Sequence, residues 1–371
     1  MSLYSFVAKK LDDPPSLSIL RSSPTDADTS AVEFKIVKGS LTANNKFYWS
    51  FGERPPFNFF KCYPVDPQTS ALVVQGDDDN LSDYAHPPVW GVAEVTCSKV
   101  DGVQVGDRFL AMLPIGQSVS FDKASVDPID GSKLIVERPD TFAAYNTFTK
   151  IDPDDAMASP KFGDLAVASF PGIITGFGLY YRLLHCNCYG GVQRIVITSA
   201  SSKVGLALAI FIKKSNEATF ANTQIIGYTS KNNMTFCEST KVFDEVLNYE
   251  DLLGSNDDDE QGVKDYVMID ISGRGDIYSR NVEENPTARI AKLLVIGNAS
   301  STADDQSTVA HFSLYAKVKM IMSFVGVPKF LRSWMQPTQE FYLIVDDLAE
   351  LTTNWGLEKL NEKKKAFGKI F

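Results

Sequence analysis

A chain of 371 residues can bury a sizeable core and is too long for one small domain, so we expect two domains. The formal net charge is −10 and no long basic run is present, which argues against nucleic acid as a partner. No apolar run reaches the length of a membrane span, and the N-terminus lacks the basic-then-apolar layout of a signal peptide. We therefore expect a cytoplasmic protein with no membrane partner.

The cysteines and histidines do not indicate a metal site. The five cysteines are scattered along the chain, which favours a reduced location. One residue separates Cys186 from Cys188, and this is the wrong spacing for the usual zinc knuckle. His185 precedes the pair, but we interpret the segment as the end of a helix that runs into a loop. The sequence thus predicts no bound metal.

Short segments with strand patterns dominate roughly the first 150 residues. We expect a loop after the segment Val32–Val37, because glycine and asparagine are typical of turns and Gly39, Asn44 and Asn45 follow it. The predicted strands are Leu3–Val7, Val32–Val37, Trp90–Val95, 109–113, Val119–Phe121 and Leu134–Val136. We expect a β-rich first domain.

An aromatic segment lies between Pro55 and Tyr63. Its aromatic residues are Phe57, Phe59, Phe60 and Tyr63. Such a cluster is usually part of a core or of a domain contact, and it can also line an apolar pocket. The sequence leaves these alternatives open.

The stretch Arg194–Lys214 combines a strand, a turn and a helix. Its β-branched start predicts a buried parallel strand, Ser199–Lys203 predicts a small-residue turn, and an apolar helix is expected from Val204. This order leaves backbone amides and the positive end of a helix facing the same point, which suits a dinucleotide pyrophosphate. Of the usual glycines only Gly205 is present. A turn without a ligand, or a serine cap for the helix, remains an alternative, although capping and anion binding are compatible.

Buried strands alternate with helical segments around this stretch, which predicts a parallel sheet with crossover helices. A helix is expected over 164–184, with an interruption at Pro171 and Gly172. The further predicted strands are Gln224–Gly227, Phe243–Tyr249, Asp265–Ile271 and Ile290–Ile296. Beyond His311 we expect an apolar helix or strand pair to Val327, a strand at 341–345 and an amphipathic helix at 346–365.

Several motifs occur in the order that is typical of one enzyme superfamily. In sequence order the matching stretches are Val105–Phe109 to "VGDRV", Ala111–Gly116 to "AFLPxGG", Thr175–Leu179 to "TAYxAL", Ser199–Gly205 to "AAxGGVG", Phe243–Tyr249 to "GADHVINY" and Leu294–Gly297 to "xLVG". The chain therefore resembles the medium-chain dehydrogenase/reductase superfamily, in its zinc-lacking quinone oxidoreductase and enoyl reductase branch. The resemblance covers roughly residues 30–330 and suggests a divergent subfamily.

This resemblance implies an α/β architecture of two domains. A β-rich GroES-like catalytic domain is expected over 1–160, to which 326–371 returns, and a doubly wound Rossmann nucleotide-binding domain over 161–325. Trp90-Gly91-Val92 stands where zinc-using members have a His-Glu pair, and the four-cysteine zinc loop is missing. The resemblance thus implies a zinc-independent reductase, and it implies a homodimer.

The cofactor expected is NADPH rather than NADH. NAD selection needs an acid at the end of the second strand of the sheet, and no acid follows Gly227 until Glu238. The hydroxyls and the ammonium group of 229–231 suit a 2′-phosphate. A solvated loop is the alternative interpretation of Ser230 and Lys231. The predicted cofactor-binding residues are Thr175, Ser199, Ala200, Ser201, Ser202, Lys203, Val204, Thr229, Ser230, Lys231, Tyr249, Gly297 and Asn298.

Hydride transfer also needs a donor to the developing oxygen anion of the substrate. Without zinc this donor is a hydroxyl, an amide or the cofactor ribose. The candidate residues are Tyr48, Asn45 and Tyr63, with Tyr48 and Asn45 ranked first as catalytic residues. Phe57, Phe60 and Tyr63 are the candidate pocket for a small apolar carbonyl or quinone substrate.

Two functions of different classes follow from these residues. The first is an NADPH-dependent reductase of quinones or α,β-unsaturated carbonyls. The second is a non-catalytic relative that binds a nucleotide or a partner protein without turnover, which the serine-rich turn and the absence of a clear proton donor favour. Reduction of an acyl thioester is neither supported nor excluded by the sequence.

Overall fold

The computed structural model describes residues 2–10, 17–23, 29–42, 44–55, 57–73, 80–138, 141, 143–254 and 263–296. The chain divides into two compact units, and the division falls between Ala168 and Ser169. Within these described ranges, no helix combines the length and the apolar character that crossing a membrane requires.

In its described part, the first unit contains antiparallel strands, one short helix and the first residues of a longer helix. Its strands are β1 (Leu3–Lys9), β2 (Leu17–Ser22), β3 (Val32–Ser40), β4 (Ser70–Leu72), β5 (Tyr84–Ala85), β6 (Pro88–Ser98), β7 (Arg108–Pro114), β8 (Ser118–Phe121), β9 (Ala124–Val126), β10 (Lys133–Val136) and β11 (Thr147–Lys150); its helix is α1 (Asn44–Ser50). In the described part of the unit, β8-β3-β6-β7-β11-β10-β9 form one sheet and β4-β2-β1-β5 form another.

An aromatic core holds the larger sheet together. Phe34 on β3 lies 5.9 Å from Phe109, 6.3 Å from Phe121 and 5.2 Å from Phe148, measured between ring centroids. All four side chains are buried. Offset and edge-to-face rings at such separations add to the gain from burying their apolar surface. This core fixes the position of β6 and β7, which carry residues of the candidate site.

The expected loop at Asn44 and Asn45 is wrong, because both residues begin α1. The Asn45 side-chain oxygen accepts a hydrogen bond from the Thr42 amide at 2.7 Å, and the Asn45 amide donates to the Thr42 carbonyl at 2.9 Å. These two bonds close the first turn, so the asparagines start a helix here instead of forming a loop.

The second unit contains a five-stranded parallel sheet with crossover helices in its described part. Its elements are α2 (Gly163–His185), which begins in the first unit, α3 (Asn187–Gly191), β12 (Arg194–Thr198), α4 (Lys203–Lys213), β13 (Gln224–Thr229), α5 (Met234–Ser239), β14 (Glu245–Asn248), β15 (Lys264–Asp270), α6 (Gly275–Glu283) and β16 (Ala288–Val295). The strand order is β14-β13-β12-β15-β16, with all neighbours parallel. This is the order of a doubly wound fold.

The interruption expected at Pro171 is wrong, because α2 is continuous through this residue. Proline lacks the N–H that would bond the carbonyl of Val167, four residues earlier. The Ser40 hydroxyl lies 3.4 Å from that carbonyl oxygen and 3.3 Å from the Trp90 carbonyl oxygen, so its one proton is shared between the two acceptors. A contact from β3, 127 residues away in sequence, thus partly compensates for the missing bond.

The single turn α3 has an unusual backbone. Asn187, Cys188 and Tyr189 have φ values of 44°, 43° and 54°, and Gly190 and Gly191 follow with 103° and 82°. The segment after His185 is therefore a left-handed turn, which agrees with the expected end of a helix running into a loop. Short 3-10 turns lie at Phe59–Lys61, Leu81–Asp83, Ala143–Asn146, Ala156–Ala158, Ala218–Phe220 and Lys231–Asn233.

The predicted fold class is confirmed: a β-rich domain accompanies a doubly wound parallel sheet. Every strand named in the sequence analysis between 3 and 296 has a counterpart, whereas β2, β4, β5, β9 and β11 were not predicted. The elements expected at 311–327, 341–345 and 346–365, and the return of 326–371 to the first domain, lie outside the described residues. Gly297 and Asn298 also lie outside them.

Candidate functional site

The turn between β12 and α4 is the candidate nucleotide site. Ser199 follows the last strand residue with φ of 50°, in the left-handed region. The Ala200 amide donates to the Tyr228 carbonyl at 2.9 Å, and the Ser202 amide donates to the Ser199 carbonyl at 2.8 Å. These bonds tie the turn to β13 and to itself, so its shape is set before any ligand arrives.

Close packing explains why Gly205 alone remains of the glycine pattern. A Cβ at this position would lie 2.8 Å from the Ser199 carbonyl oxygen and 3.0 Å from that of Ala200. Real side-chain carbons do not approach backbone oxygens so closely. Gly205 is therefore required for α4 to leave the turn at this angle, whereas the positions of Ser202 and Lys203 accept side chains.

Ser202 caps α4. Its hydroxyl oxygen accepts a hydrogen bond from the Gly205 amide at 3.1 Å, and its carbonyl accepts from the Leu206 amide at 2.9 Å. The amides of Lys203 and Val204 occupy the first two helical positions, where no intrahelical acceptor exists. The structural role expected for a serine here is thus present, and two amides at the helix start remain suited to an anion.

Ser201 belongs to a hydroxyl network between the turn and the end of β13. Its oxygen accepts from the Thr229 hydroxyl at 3.2 Å and from the Asn233 side-chain amide at 3.1 Å. A hydroxyl with both lone pairs engaged has only its proton left to offer. Ser201 is therefore set up as a donor toward a ligand at the turn.

The residues at the end of β13 become more exposed along the chain. Thr229 is buried, Ser230 is half-buried and Lys231 is exposed. Partial desolvation by the surrounding protein lowers the pKa of Lys203 from its ordinary value, although its side chain keeps contact with solvent. Residues 229–233 include no carboxylate, as the preference for a 2′-phosphate requires.

Tyr249 lies over the turn. Its hydroxyl is 3.4 Å from the Ser199 hydroxyl, and the Arg274 guanidinium stands 4.7 Å from the centre of its ring. Arg280 holds the segment by donating to the Tyr249 carbonyl. The sequence predicted Tyr249 but missed Arg274, because only the folded chain brings the residue before α6 onto this ring.

A buried carboxylate next to the turn was also missed. Asp270 ends β15 and accepts hydrogen bonds from the Thr198 hydroxyl at 2.6 Å and from the Ser272 hydroxyl at 2.7 Å. It also accepts from the amides of Ser272 and Gly273. A polar residue at the end of an otherwise apolar predicted strand was the available signal.

Thr175 is part of helix packing. Its hydroxyl donates to the Pro171 carbonyl at 2.7 Å within α2, and the side chain is buried. This bond is the back-bonding that threonine commonly makes inside a helix. A contact between Thr175 and a nicotinamide stays a prediction.

Tyr48 is the best-placed candidate proton donor. Its hydroxyl oxygen accepts from the Asn44 side-chain amide at 2.8 Å and from the Trp90 indole N–H at 2.9 Å. Burial raises the pKa of Tyr48 well above its ordinary value, while the two donors partly oppose the increase. The phenol is therefore protonated at neutral pH.

The other two candidates use their polar atoms within the unit. Asn45 donates to the Pro88 carbonyl at 2.8 Å, in addition to its bonds with Thr42. The Tyr63 hydroxyl donates to the Met112 carbonyl at 2.6 Å. Burial raises the pKa of Tyr63 to about 12, against the opposing charge of Arg138. Both side chains thus tie the aromatic segment and α1 to β6 and β7.

The pocket residues expected from the sequence are packed against other rings. Phe57 stacks on Phe59 at 5.5 Å, and Phe60 meets Trp49 at 4.7 Å, between ring centroids. Phe57, Phe60 and Tyr63 are all buried. Core packing is therefore present, and the lining of a substrate pocket by these residues stays a prediction. Among the described side chains, no three potential metal ligands form a group.

The fold places this chain in a known structural class. S. aureus TarJ in complex with NADPH has 10% sequence identity, covers 100% of this chain and 95% of its own, and superposes with a TM-score of 0.50. CurA in complex with NADPH from Vibrio vulnificus has 14% identity, covers 100% of this chain and 96% of its own, and gives a TM-score of 0.50. These two proteins share with this chain a fold that combines a β-rich domain with a doubly wound parallel sheet.

The amino-acid sequence also shows which protein family the chain belongs to. A family model described as protein of unknown function DUF2855 matches residues 40–368, which is most of the chain, so the protein belongs to the DUF2855 family. No curated protein sequence matches the chain.

Proposed function

We propose that this protein is an NADPH-dependent oxidoreductase that reduces a quinone or an α,β-unsaturated carbonyl compound without zinc. The observation that carries the proposal is the turn between β12 and α4, where backbone amides and hydroxyl protons converge at a helix start. The two solved structures compared above are described as NADPH complexes, which supports the cofactor class.

The donor set at the turn fits a dinucleotide diphosphate. The Lys203 and Val204 amides lie at the start of α4, and the Ser201 proton is free to point at the same anion. A helix start and backbone amides are the usual diphosphate site of doubly wound folds. In this chain Ser202 and Lys203 stand where the pattern has glycines, and the Ser201 hydroxyl supplements the backbone donors.

The preference for NADPH rests on charge. Lys231 follows β13, and Arg274 on the Tyr249 ring adds a second cation near the turn. Residues 229–233 carry no carboxylate that would repel a 2′-phosphate. Charge-assisted hydrogen bonds to a phosphate are about twice as strong as neutral ones, so these cations favour NADPH over NADH.

The proposed proton donor is Tyr48, and Asn45 is a positioning residue. The bound cofactor would supply hydride, and the substrate oxygen then needs one proton to complete a two-electron reduction. The raised pKa keeps the Tyr48 proton in place until negative charge develops on that oxygen. Asn45 holds α1, which carries Tyr48, against the start of β6.

Titration with nucleotides tests the proposal. We expect saturable NADPH binding by calorimetry or fluorescence, with NADH weaker, and oxidation of the bound nucleotide when quinones and enals are added. Lys231→Glu is expected to weaken NADPH binding selectively. Lys292→Glu on the exposed part of β16 makes the same charge change and serves as the matched control.

Two results would contradict the proposal. If neither nucleotide binds at high concentration, the oxidoreductase function is wrong. Saturable NADPH binding without oxidation by any quinone or enal would favour a non-catalytic nucleotide-binding protein instead.

A further inference from the structure

The hydrogen bonds around Tyr48 determine the direction of its own O–H. The Trp90 indole nitrogen can only donate, and so can the Asn44 side-chain nitrogen. Both donate to the Tyr48 oxygen, at 2.9 Å and 2.8 Å. The lone pairs of the phenol are therefore engaged, and its remaining hydrogen-bonding capacity is one proton.

That proton has no acceptor among the residues that the structure describes. Tyr48 is only 4% exposed, so water does not readily serve as its partner. Leaving a buried donor without an acceptor costs free energy, so this unpaired O–H calls for an explanation. An acceptor atom on a ligand would satisfy this one.

Aromatic rings pack next to the Tyr48 ring. The Phe59 ring lies 4.9 Å from the Tyr48 ring, and Tyr145 lies 5.0 Å from Phe59 and 6.4 Å from Trp90, between centroids. Trp90 and Tyr145 are half-buried, so part of this aromatic group reaches the surface. Flat ring faces favour a flat, apolar ligand.

We propose that Asn44 and Trp90 are positioning residues that make Tyr48 a one-way hydrogen-bond donor to the carbonyl oxygen of a planar, conjugated substrate. The inference rests on the proposed function, because it names the acceptor that Tyr48 meets there. Groups that offer only a donor at this point, such as an ammonium group, are disfavoured.

Asn44→Asp tests the direction of the bond. The substitution changes the shape of the side chain very little, but it replaces the N–H donor with a carboxylate oxygen, which captures the Tyr48 proton. A carbonyl ligand would then lose its donor. Asn80→Asp is the matched control, because Asn80 is exposed and its oxygen only accepts from the Ser82 amide, which aspartate does equally well.

The measurement uses the full chain with 2-cyclohexen-1-one as the probe and no nucleotide. We expect the infrared carbonyl stretch of the bound probe to shift to lower frequency in the native protein. Tyr48→Phe and Asn44→Asp should remove the shift and weaken binding about two- to ten-fold, the effect of losing one hydrogen bond. Asn80→Asp should behave as the native chain. Trp90→Phe, which keeps a ring but loses the N–H, should reduce the shift.

Cyclohexene, which lacks the carbonyl, separates the contribution of the hydrogen bond to binding from that of packing. It should bind equally to the native chain and to Asn44→Asp. A loss of cyclohexene binding in Asn44→Asp would show a disturbed fold rather than a reversed bond, and would contradict the inference.

Other outcomes overturn the inference directly. If the Asn44 amide presents its oxygen to Tyr48, Asn44→Asp leaves the carbonyl shift unchanged, and the one-way arrangement is wrong. Absence of probe binding, or of any shift in the native protein, has the same consequence. Because no nucleotide is used, failure of NADPH binding in the titration above leaves this result intact, so the two failures are distinguishable.

Discussion

The Thr198 hydroxyl donates a hydrogen bond to the Asp270 carboxylate over 2.6 Å, between the ends of two neighbouring strands. Both side chains are buried. The Thr198 oxygen also accepts from the amides of Ile271 and Ser272, at 2.9 Å and 3.0 Å. One hydroxyl thus joins β12 to the segment after β15, immediately before the candidate nucleotide turn.

We expect Thr198→Val to destabilise the protein. The change leaves the buried Ile271 amide without its acceptor, the Ser272 amide with only the Asp270 carboxylate, and Asp270 without one donor. Each buried unsatisfied group costs about 1–3 kcal/mol. The free energy of unfolding, measured by urea denaturation, should fall by an amount of this order, and nucleotide affinity should fall with it because the turn loses its anchor.

Thr223→Val is the matched control for that substitution. The Thr223 hydroxyl is buried and has no hydrogen-bond partner among the described residues. Replacing it with a methyl group should leave the stability unchanged or raise it. Equal losses in both variants would mean that the Thr198 bonds contribute nothing specific.

The packing of α2 on α4 gives a second prediction. A Cβ at Gly176 would lie 2.9 Å from both the Ala207 side chain and the Leu208 amide nitrogen. Gly176→Ala should therefore force the two helices apart and cost about 1–3 kcal/mol by overpacking. Thermal unfolding checks this loss.

Gly275→Ala is the control for helix packing. A Cβ at Gly275, the first residue of α6, would meet no atom within 4 Å. Alanine there should stabilise the protein by about 0.4–1 kcal/mol, because it restricts the unfolded chain. If Gly176→Ala stabilises the protein as Gly275→Ala does, the close helix contact is wrong.

The adjacent residues Ser201 and Ser202 are expected to have different roles: Ser202 caps α4, and Ser201 binds the ligand. Ser202→Ala removes the cap of α4 and should reduce the free energy of unfolding by about 1 kcal/mol. Ser201→Ala removes a hydroxyl whose oxygen already accepts two hydrogen bonds and whose proton is left for a ligand. It should weaken NADPH binding about ten-fold or more, since hydrogen bonds to charged groups contribute about 1.5–3 kcal/mol. Calorimetry of NADPH binding and urea denaturation, applied to both variants, measure the losses of affinity and of stability separately. Unchanged NADPH affinity in Ser201→Ala would remove its role as a donor.

The sequence was sufficient for the fold and for part of the site. Runs such as Arg194–Thr198 are recognisable because a buried parallel strand needs consecutive β-branched residues, and the following helix start is a local feature. The partners of Tyr48 were not recognisable, because Trp90 is 42 residues away and its N–H direction depends on the pairing of β6. Ser40 compensating for Pro171, and Thr198 meeting Asp270, are long-range contacts of the same kind. Periodicity predicts which face of an element is buried, but not which polar groups meet there.

The raised pKa of Tyr63 predicts a loss of stability at high pH. Burial favours the neutral phenol and raises its pKa from 10.0 to about 12, so between these values the unfolded chain has released a proton that the folded chain retains. The stabilisation is complete below pH 10 and is lost as the pH rises through 12, by about 1.4 kcal/mol for each pH unit. Tyr63→Phe lowers the stability at neutral pH, because the bond to Met112 disappears, but it should flatten the decline above pH 10. Urea denaturation at a series of pH values compares the slopes, with Thr223→Val as the reference variant. An identical slope in Tyr63→Phe and in the native protein would mean that another group causes the alkaline loss.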